Sequence, residues 1–239
     1  MNVRRSVVLA ASGLALLLPV TGRAQQVAYA ANAVAELDSA TQAAVSRELG
    51  RARSRGLPVQ PLVAKVREGQ VKRAAPDRIR IAVSALAARL DSARSALGPT
   101  SNAAEIVAGA DAIAAGVDMP TLRTVRAASG ARDLSAPLGA LAQLVASGVP
   151  ARRATQMILE LLKRDAGPRE VLAFGLAVEA DVGAGVPAEE SAVFRLRSIE
   201  SQGVGADRLT VAAPDGNPVS LSGKPGGNTG GATAKRRPS

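Results

Sequence analysis

The stretch GVPARRATQMILELLKRDAGP, from Gly148 to Pro168, decides the fold. It opens on Gly-apolar-Pro and closes on Gly-Pro. Between these breaks Ala154, Met157, Ile158, Leu161 and Leu162 recur at i, i+3, i+4, i+7 and i+8. That spacing places one apolar stripe along one face of an α-helix. A Gly in this position takes the left-handed conformation that ends a preceding helix. Pro suits the first position of the next helix, where its missing N–H has no partner to lose. The apolar residue between them is placed to pack back onto the helices it joins. The stretch therefore reads as one helix held between two turns.

The same punctuation runs outward in both directions. Gly56-Leu57-Pro58 and Gly185-Val186-Pro187 repeat it, and Gly116-Val117-Asp118-Met119-Pro120 is a longer form. Pro76, Pro99, Pro137 and Pro168 mark further junctions, so that from Pro58 onward the breaks fall 13 to 23 residues apart. Each interval holds a helix of three to four turns and a short connection. Ile79, Val83, Leu86 and Leu90 form a second stripe, and Leu138, Leu141, Leu144 and Val145 a third. Val171, Phe174, Val178 and Val182 form a fourth, and Val193, Leu196 and Ile199 a fifth. Asn102 and Glu105 have capping-box spacing before Ile106, and Ser135 precedes Pro137 and Leu138 as a start signal. About nine helices are predicted between Asp38 and Ser201. Short connections imply antiparallel neighbours. The expected fold class is all-α: an array of short antiparallel helices forming a degenerate helical-hairpin repeat.

Composition agrees. Hydrophobic residues make up 47% of the chain, yet there is no Trp, one Tyr (Tyr29) and two Phe (Phe174 and Phe194). A sheet core leans on aromatic and β-branched side chains, whereas Ala and Leu rank highest in helix propensity. Cys and His are absent, so no disulfide framework, thiolate chemistry or imidazole ligation is available to this chain.

The first residues read as an address. Arg4 and Arg5 precede an apolar run from Val7 to Val20, and Gly22-Arg23-Ala24 places small residues at the cleavage-specifying positions. That is the layout of a secretory signal peptide over 1–24, with a run too short to anchor in a bilayer. The Arg pair also touches the twin-arginine pattern; the general secretory route is the plainer reading. Export to the periplasm or beyond is expected, with no transmembrane segment in the mature chain. Loss of Arg4, Arg5 and Arg23 would lower the net charge from +10 to +7. Residues 25–37 read as a linker, 38–202 as the helical domain, and 203–239 as a disordered Gly/Ser/Pro-rich tail. Within that tail Val204 to Val211 is one extended candidate, and Lys235-Arg236-Arg237 a solubilising basic end.

A search for chemistry finds little. A Ser-His-Asp arrangement needs a His, and no Gly-x-Ser-x-Gly elbow is present in the mature chain. Ser222-Gly223-Lys224-Pro225 lacks the Gly and hydroxyl residues of a phosphate loop, because Pro218 and Pro225 stand in their places. Glu179, beside Val178 at the edge of a stripe, is the one carboxylate whose burial would raise its pKa; a pair with a nearby Arg at the core rim is the plainer account. Glu189 and Glu190 follow Pro187 in a first helical turn, where negative charge favours the helix dipole. No catalytic, cofactor or metal residues are assigned, and no cofactor is expected.

Charge is the informative asymmetry. From Arg47 to Arg94 twelve basic residues stand against four acidic, whereas from Ser95 to Gln202 ten stand against twelve. Arg51, Arg55, Arg73 and Arg80 are the candidate contacts for an anionic partner. A solvated face with no ligand is the plainer reading of the same residues. The leading expectation is an exported, non-enzymatic helical protein that acts as a binding or scaffold module in the bacterial cell envelope. Its partner would be an envelope protein or an anionic polymer, and no nucleic acid is expected. The alternatives are a basic surface on residues 47–94 that meets an anionic polymer or membrane headgroups, and a carboxylate-based enzyme.

Overall fold

The computed structural model describes residues 33–202, 211–212 and 218–219. The signal peptide expected at 1–24, most of the 25–37 linker and nearly all of the 203–239 tail lie outside the described residues. Between residues 39 and 202 the chain forms nine helices: α1 (Ser39–Ser54), α2 (Gln60–Val71), α3 (Pro76–Leu97), α4 (Ala103–Ala115), α5 (Met119–Ser129), α6 (Ser135–Ala146), α7 (Ala151–Lys163), α8 (Pro168–Gly183) and α9 (Ala188–Gln202). The all-α expectation holds. The further regular structure among the described residues is a helical turn at 33–35 and a two-residue antiparallel pairing of Val211–Ala212 with Pro218–Val219.

The stripes face inward. Ala154, Met157, Ile158, Leu161 and Leu162 of α7 are all buried, as are Ile79, Val83, Leu86 and Leu90 of α3. Helix starts follow their side chains. Asp38 accepts from Thr41 N at the start of α1, and Asp118 from Thr121 N at the start of α5. The capping box of α4 is complete: Glu105 N donates to Asn102 Oδ1 at 2.9 Å, and Asn102 N to Glu105 Oε2 at 2.9 Å. Ser135 is the first residue of α6 rather than its cap, and its N–H is held by Asp133 at 2.7 Å.

The junctions share one turn. Leu57 N donates to Ala52 O, Val117 N to Ala112 O, Val149 N to Leu144 O and Val186 N to Asp181 O, each at 2.9 or 3.0 Å. This is the six-residue Schellman closure, with Gly56, Gly116, Gly148 and Gly185 at positive φ inside it. Two further junctions close the same way without glycine, through Ala74 N to Gly69 O and Ala166 N to Leu161 O. There Arg73 (φ 49°) and Asp165 (φ 57°) take the left-handed position. In the Gly-apolar-Pro junctions the proline sits one or two residues earlier than expected: Pro150 is the N-cap of α7, and Pro58 precedes the Val59 cap of α2. First-position prolines are found instead at Pro76 and Pro168.

Packing divides the helices into two series. The odd-numbered helices touch in succession, α1 to α3, α3 to α5 and α5 to α7; α4, α6 and α8 do the same. Contacts α2–α3, α3–α4, α6–α7 and α8–α9 cross between neighbours along the chain. Three polar ties join the later helices over one interval of 36 residues: Gln143 to Glu179, Arg153 to Glu189 and Arg164 to Glu200. Two apolar clusters result. One runs from Ala33 to Ala110 and the other from Ala96 to Ala192, with Ile113 of α4 packed against both. Ala33 and Val34, placed in the linker by composition, are 3% and 5% exposed and belong to the first cluster. Gln70 Nε2 fastens them by donating to Ala33 O at 2.9 Å.

Candidate functional site

The four arginines singled out in the sequence lie on α1, α3 and the turn between α2 and α3. Arg51 and Arg80 meet. Both line an open groove between α1 and α3, together with Ala44, Arg47, Glu48 and Ser84. Arg80 crosses from one helix to the other, its Nη1 donating to Thr41 Oγ1 at 2.9 Å, and it also pairs with Asp77 on its own helix. Arg51 Nη1 stands 3.2 Å from Glu48 Oε2. Arg55, the C-cap of α1, reaches Asp91 Oδ1 on α3 at 2.8 Å. Arg73 does not join them; it is exposed in the left-handed turn that closes α2. Three of the four are therefore already paired with a carboxylate. Arg47 is the groove arginine that the reading of the sequence missed. It stands one helical turn before Arg51, and that i,i+4 spacing put both on one face.

Carboxylates elsewhere are occupied in structural roles. Glu105 is 3% exposed. Both of its oxygens accept from Arg126 Nη2, at 3.1 and 3.2 Å, and Oε1 also takes Leu134 N at 3.0 Å. Arg126 in turn donates from Nε to Leu97 O. The pair thus binds the end of α3, the starts of α4 and α6, and α5 between them. Asp181 of α8 receives Arg195 Nε and Nη2 at 2.8 and 2.7 Å and Ser191 Oγ at 2.6 Å, both from α9. The Arg195 guanidinium, with help from Ser191, holds its carboxyl below the usual aspartate value against the opposing effect of burial. Asp111 of α4 shifts the other way. Loss of hydration pushes its carboxyl above the usual value, opposed by the charges of Arg89 and Lys65. Glu179 is exposed and accepts from Gln143 of α6. It is neither buried at the core edge nor joined to an arginine.

Charge follows the two helix series. In the odd series α1 carries Arg47, Arg51 and Arg53 against Glu48, and α3 carries Arg78, Arg80, Arg89 and Arg94 against Asp77 and Asp91. Arg123 and Arg126 of α5 face no acid on their helix, and α7 sets Arg152, Arg153 and Lys163 against Glu160. Each of these four helices has a net charge of +2. In the other series α4 is −2, α6 is neutral and α8 is −2, since Arg169 stands against Glu170, Glu179 and Asp181. The net +2 of α1 and α3 thus recurs on α5 and on α7, which lie beyond residues 47–94 along the chain but next in the series.

The far end of the molecule differs in kind. On α8, Leu172 and Leu176 are 41% and 57% exposed, and on α9 Phe194 is 64% exposed. Phe194 lines a shallow depression with Val193, Glu189, Glu190 and Arg197. Among the described residues, no helix is long and apolar enough to cross a membrane. No family model, no curated protein and no solved structure matches this chain.

Proposed function

We propose that the protein is an exported, non-enzymatic binding module of the bacterial cell envelope, built as a stacked array of helical hairpins, whose α8–α9 end docks another envelope protein. The observation that carries this reading is the exposure of Leu172 and Leu176, one turn apart on one face of α8, together with that of Phe194 on the next helix. Large apolar side chains grouped at one end of a molecule favour a protein partner over a soluble ligand. Next-but-one contacts between helices and the recurring 36-residue interval support the hairpin array. Such arrays offer extended surfaces rather than enclosed cavities. The run at 4–20 and the small residues before Gln25 support export.

The test is site-specific photocrosslinking in intact cells. A crosslinker at Leu176 or Phe194 is expected to capture one discrete envelope protein, whereas a crosslinker at Ser46 on exposed α1 is expected not to. Equal capture from all three positions, or retention of the uncleaved chain in the cytosol, overturns the proposal.

A further inference from the structure

We propose that the exposed arginines of the α1, α3, α5 and α7 series form a docking surface for a linear phosphate polymer. This surface is separate from Leu172 and Leu176, and it stands or falls independently of the protein-docking reading above.

The argument starts from which cations are already satisfied. Arg51, Arg55, Arg80, Arg126 and Arg153 have carboxylate partners. Arg47, Arg53, Arg78, Arg123 and Arg152 are exposed and have none among the described residues. Every helix of the series from α1 to α7 contributes at least one. Outside the series, the exposed arginines without a carboxylate among the described residues are Arg73 in its turn, Arg169 on α8 and Arg197 on α9. Carboxylates without an ion pair are not sorted in this way, since they include Glu170 and Glu179 of α8 but also Asp38 and Asp118, the N-caps of α1 and α5, whose oxygens accept from Thr41 N and Thr121 N. What sorts by series is net charge, +2 on each of α1, α3, α5 and α7 against −2, 0 and −2 on α4, α6 and α8.

The spacing suits a polymer. Helices in contact lie about 8–10 Å apart, so four in succession span about 25–30 Å. That length exceeds any single small anion. The planar guanidinium fork matches the oxygens of phosphate and binds them in pairs. Recognition here runs on charge alone. The chain has no Trp, and its two Phe residues, Phe174 and Phe194, lie outside the four helices. The stacking platforms that single-stranded nucleic acids require are missing. Large apolar groups that would anchor the face in a bilayer are also sparse: among the exposed large hydrophobics, Ile81 is the one on these helices.

The experiment titrates the purified full chain with long-chain inorganic polyphosphate at several salt concentrations. The logarithm of the binding constant is expected to fall against log salt with a slope of about −3.5, as for roughly five phosphates neutralised on a single-stranded polyanion. Replacing Arg47, Arg53, Arg78, Arg123 and Arg152 by Gln is expected to lower affinity at least about tenfold at ~0.1 M salt and to halve the slope at least. The partial sets R47Q/R53Q/R78Q and R123Q/R152Q are each expected to give an intermediate loss. They guard against a fold defect in the full set, as does an unchanged melting curve. The pair R73Q/R169Q, which removes two unpaired arginines outside the series, is expected to change affinity less than about twofold. Three results overturn the proposal. One is the full set binding like the parent, which would place the contact in the Lys235-Arg236-Arg237 end. Another is R73Q/R169Q losing as much as the full set. The third is tighter binding to phosphatidylglycerol vesicles than to polyphosphate, which would make the surface a membrane contact.

Discussion

Arg126 ties several elements together through one side chain. It reaches Leu97 O with Nε, Arg132 O with Nη1, and both carboxylate oxygens of the buried Glu105 with Nη2. Removing one partner of such a pair leaves the other charged and out of water, which costs more than the pair itself contributes. Arg126→Ala is expected to lower stability by about 3 kcal/mol, read from the urea midpoint at pH 7; a loss under about 1 kcal/mol would show that Glu105 keeps other company.

Glu68 is a surface case with the opposite economy. Hydrogen bonds from Lys65 first and Lys72 second bring its carboxyl from 4.5 down to about 2. A folded value below the unfolded one contributes stability fully above pH 4.5, and that contribution drains away as pH falls toward 2. Solvent screening keeps it to about 1 kcal/mol or less. Glu68→Gln is therefore expected to flatten the fall of the melting temperature with acid in that window. An unchanged acid slope in the variant would count against the two lysine contacts. Arg73 carries backbone strain instead, since a left-handed side-chain residue costs roughly 1–2 kcal/mol and glycine relieves it. Arg73→Gly is expected to raise stability by about 1 kcal/mol, as measured by urea denaturation, and a fall would mean that the side chain is needed there.

Among the helices, closeness of approach depends on a few missing side chains. A Cβ on Gly109 of α4 would meet Ala93 Cβ and Leu97 Cδ1 of α3, both at 3.1 Å. On Gly139 of α6 the nearest atom is Leu172 Cδ2 at an ordinary 3.8 Å. The same chemical change is thus expected to have opposite signs. Gly109→Ala should destabilise by about 1 kcal/mol through overpacking, while Gly139→Ala should stabilise by about 0.5 kcal/mol or more through helix propensity. Thermal melts of the two variants check both; matching signs would remove the packing argument.

The helices themselves were legible because a 3.6-residue stripe and a Gly-Pro break are local signals, and Met157 to Leu162 needs no knowledge of the rest of the chain. Turns at Arg73 and Asp165 were harder to read, since neither carries the glycine that announced the other four. Pro150 and Pro58 were placed a residue or two late because proline is tolerated at several positions around a helix start. Arg47 was readable from its spacing to Arg51. That Arg51 and Arg80 share a groove while Arg73 stands apart depends on which helices touch, and no local pattern records that.

For the whole molecule, the contact pattern makes protection uneven. α6 has buried residues on almost every side, from Ala136 to Leu144, and touches α4, α7 and α8. α1 touches one helix, α3, in depth, and α9 one, α8. Local opening free energies follow such differences in packing. Native-state hydrogen exchange is expected to show the slowest amides in α6 and faster exchange in α1 and α9. Equal rates across all nine helices would indicate a single indivisible unit. The sorting of charge between the two helix series also belongs at this level, and nothing short of the assembled chain reveals it.

The three ties that each bridge 36 residues, from Gln143, Arg153 and Arg164 to Glu179, Glu189 and Glu200, act as a fixed ruler. Each holds a helix to the one two places further along the chain, so all three depend on the rotational setting of α8 and α9. A single residue inserted within α8 ahead of Glu179 would turn that carboxylate about 100° around its helix and away from Gln143.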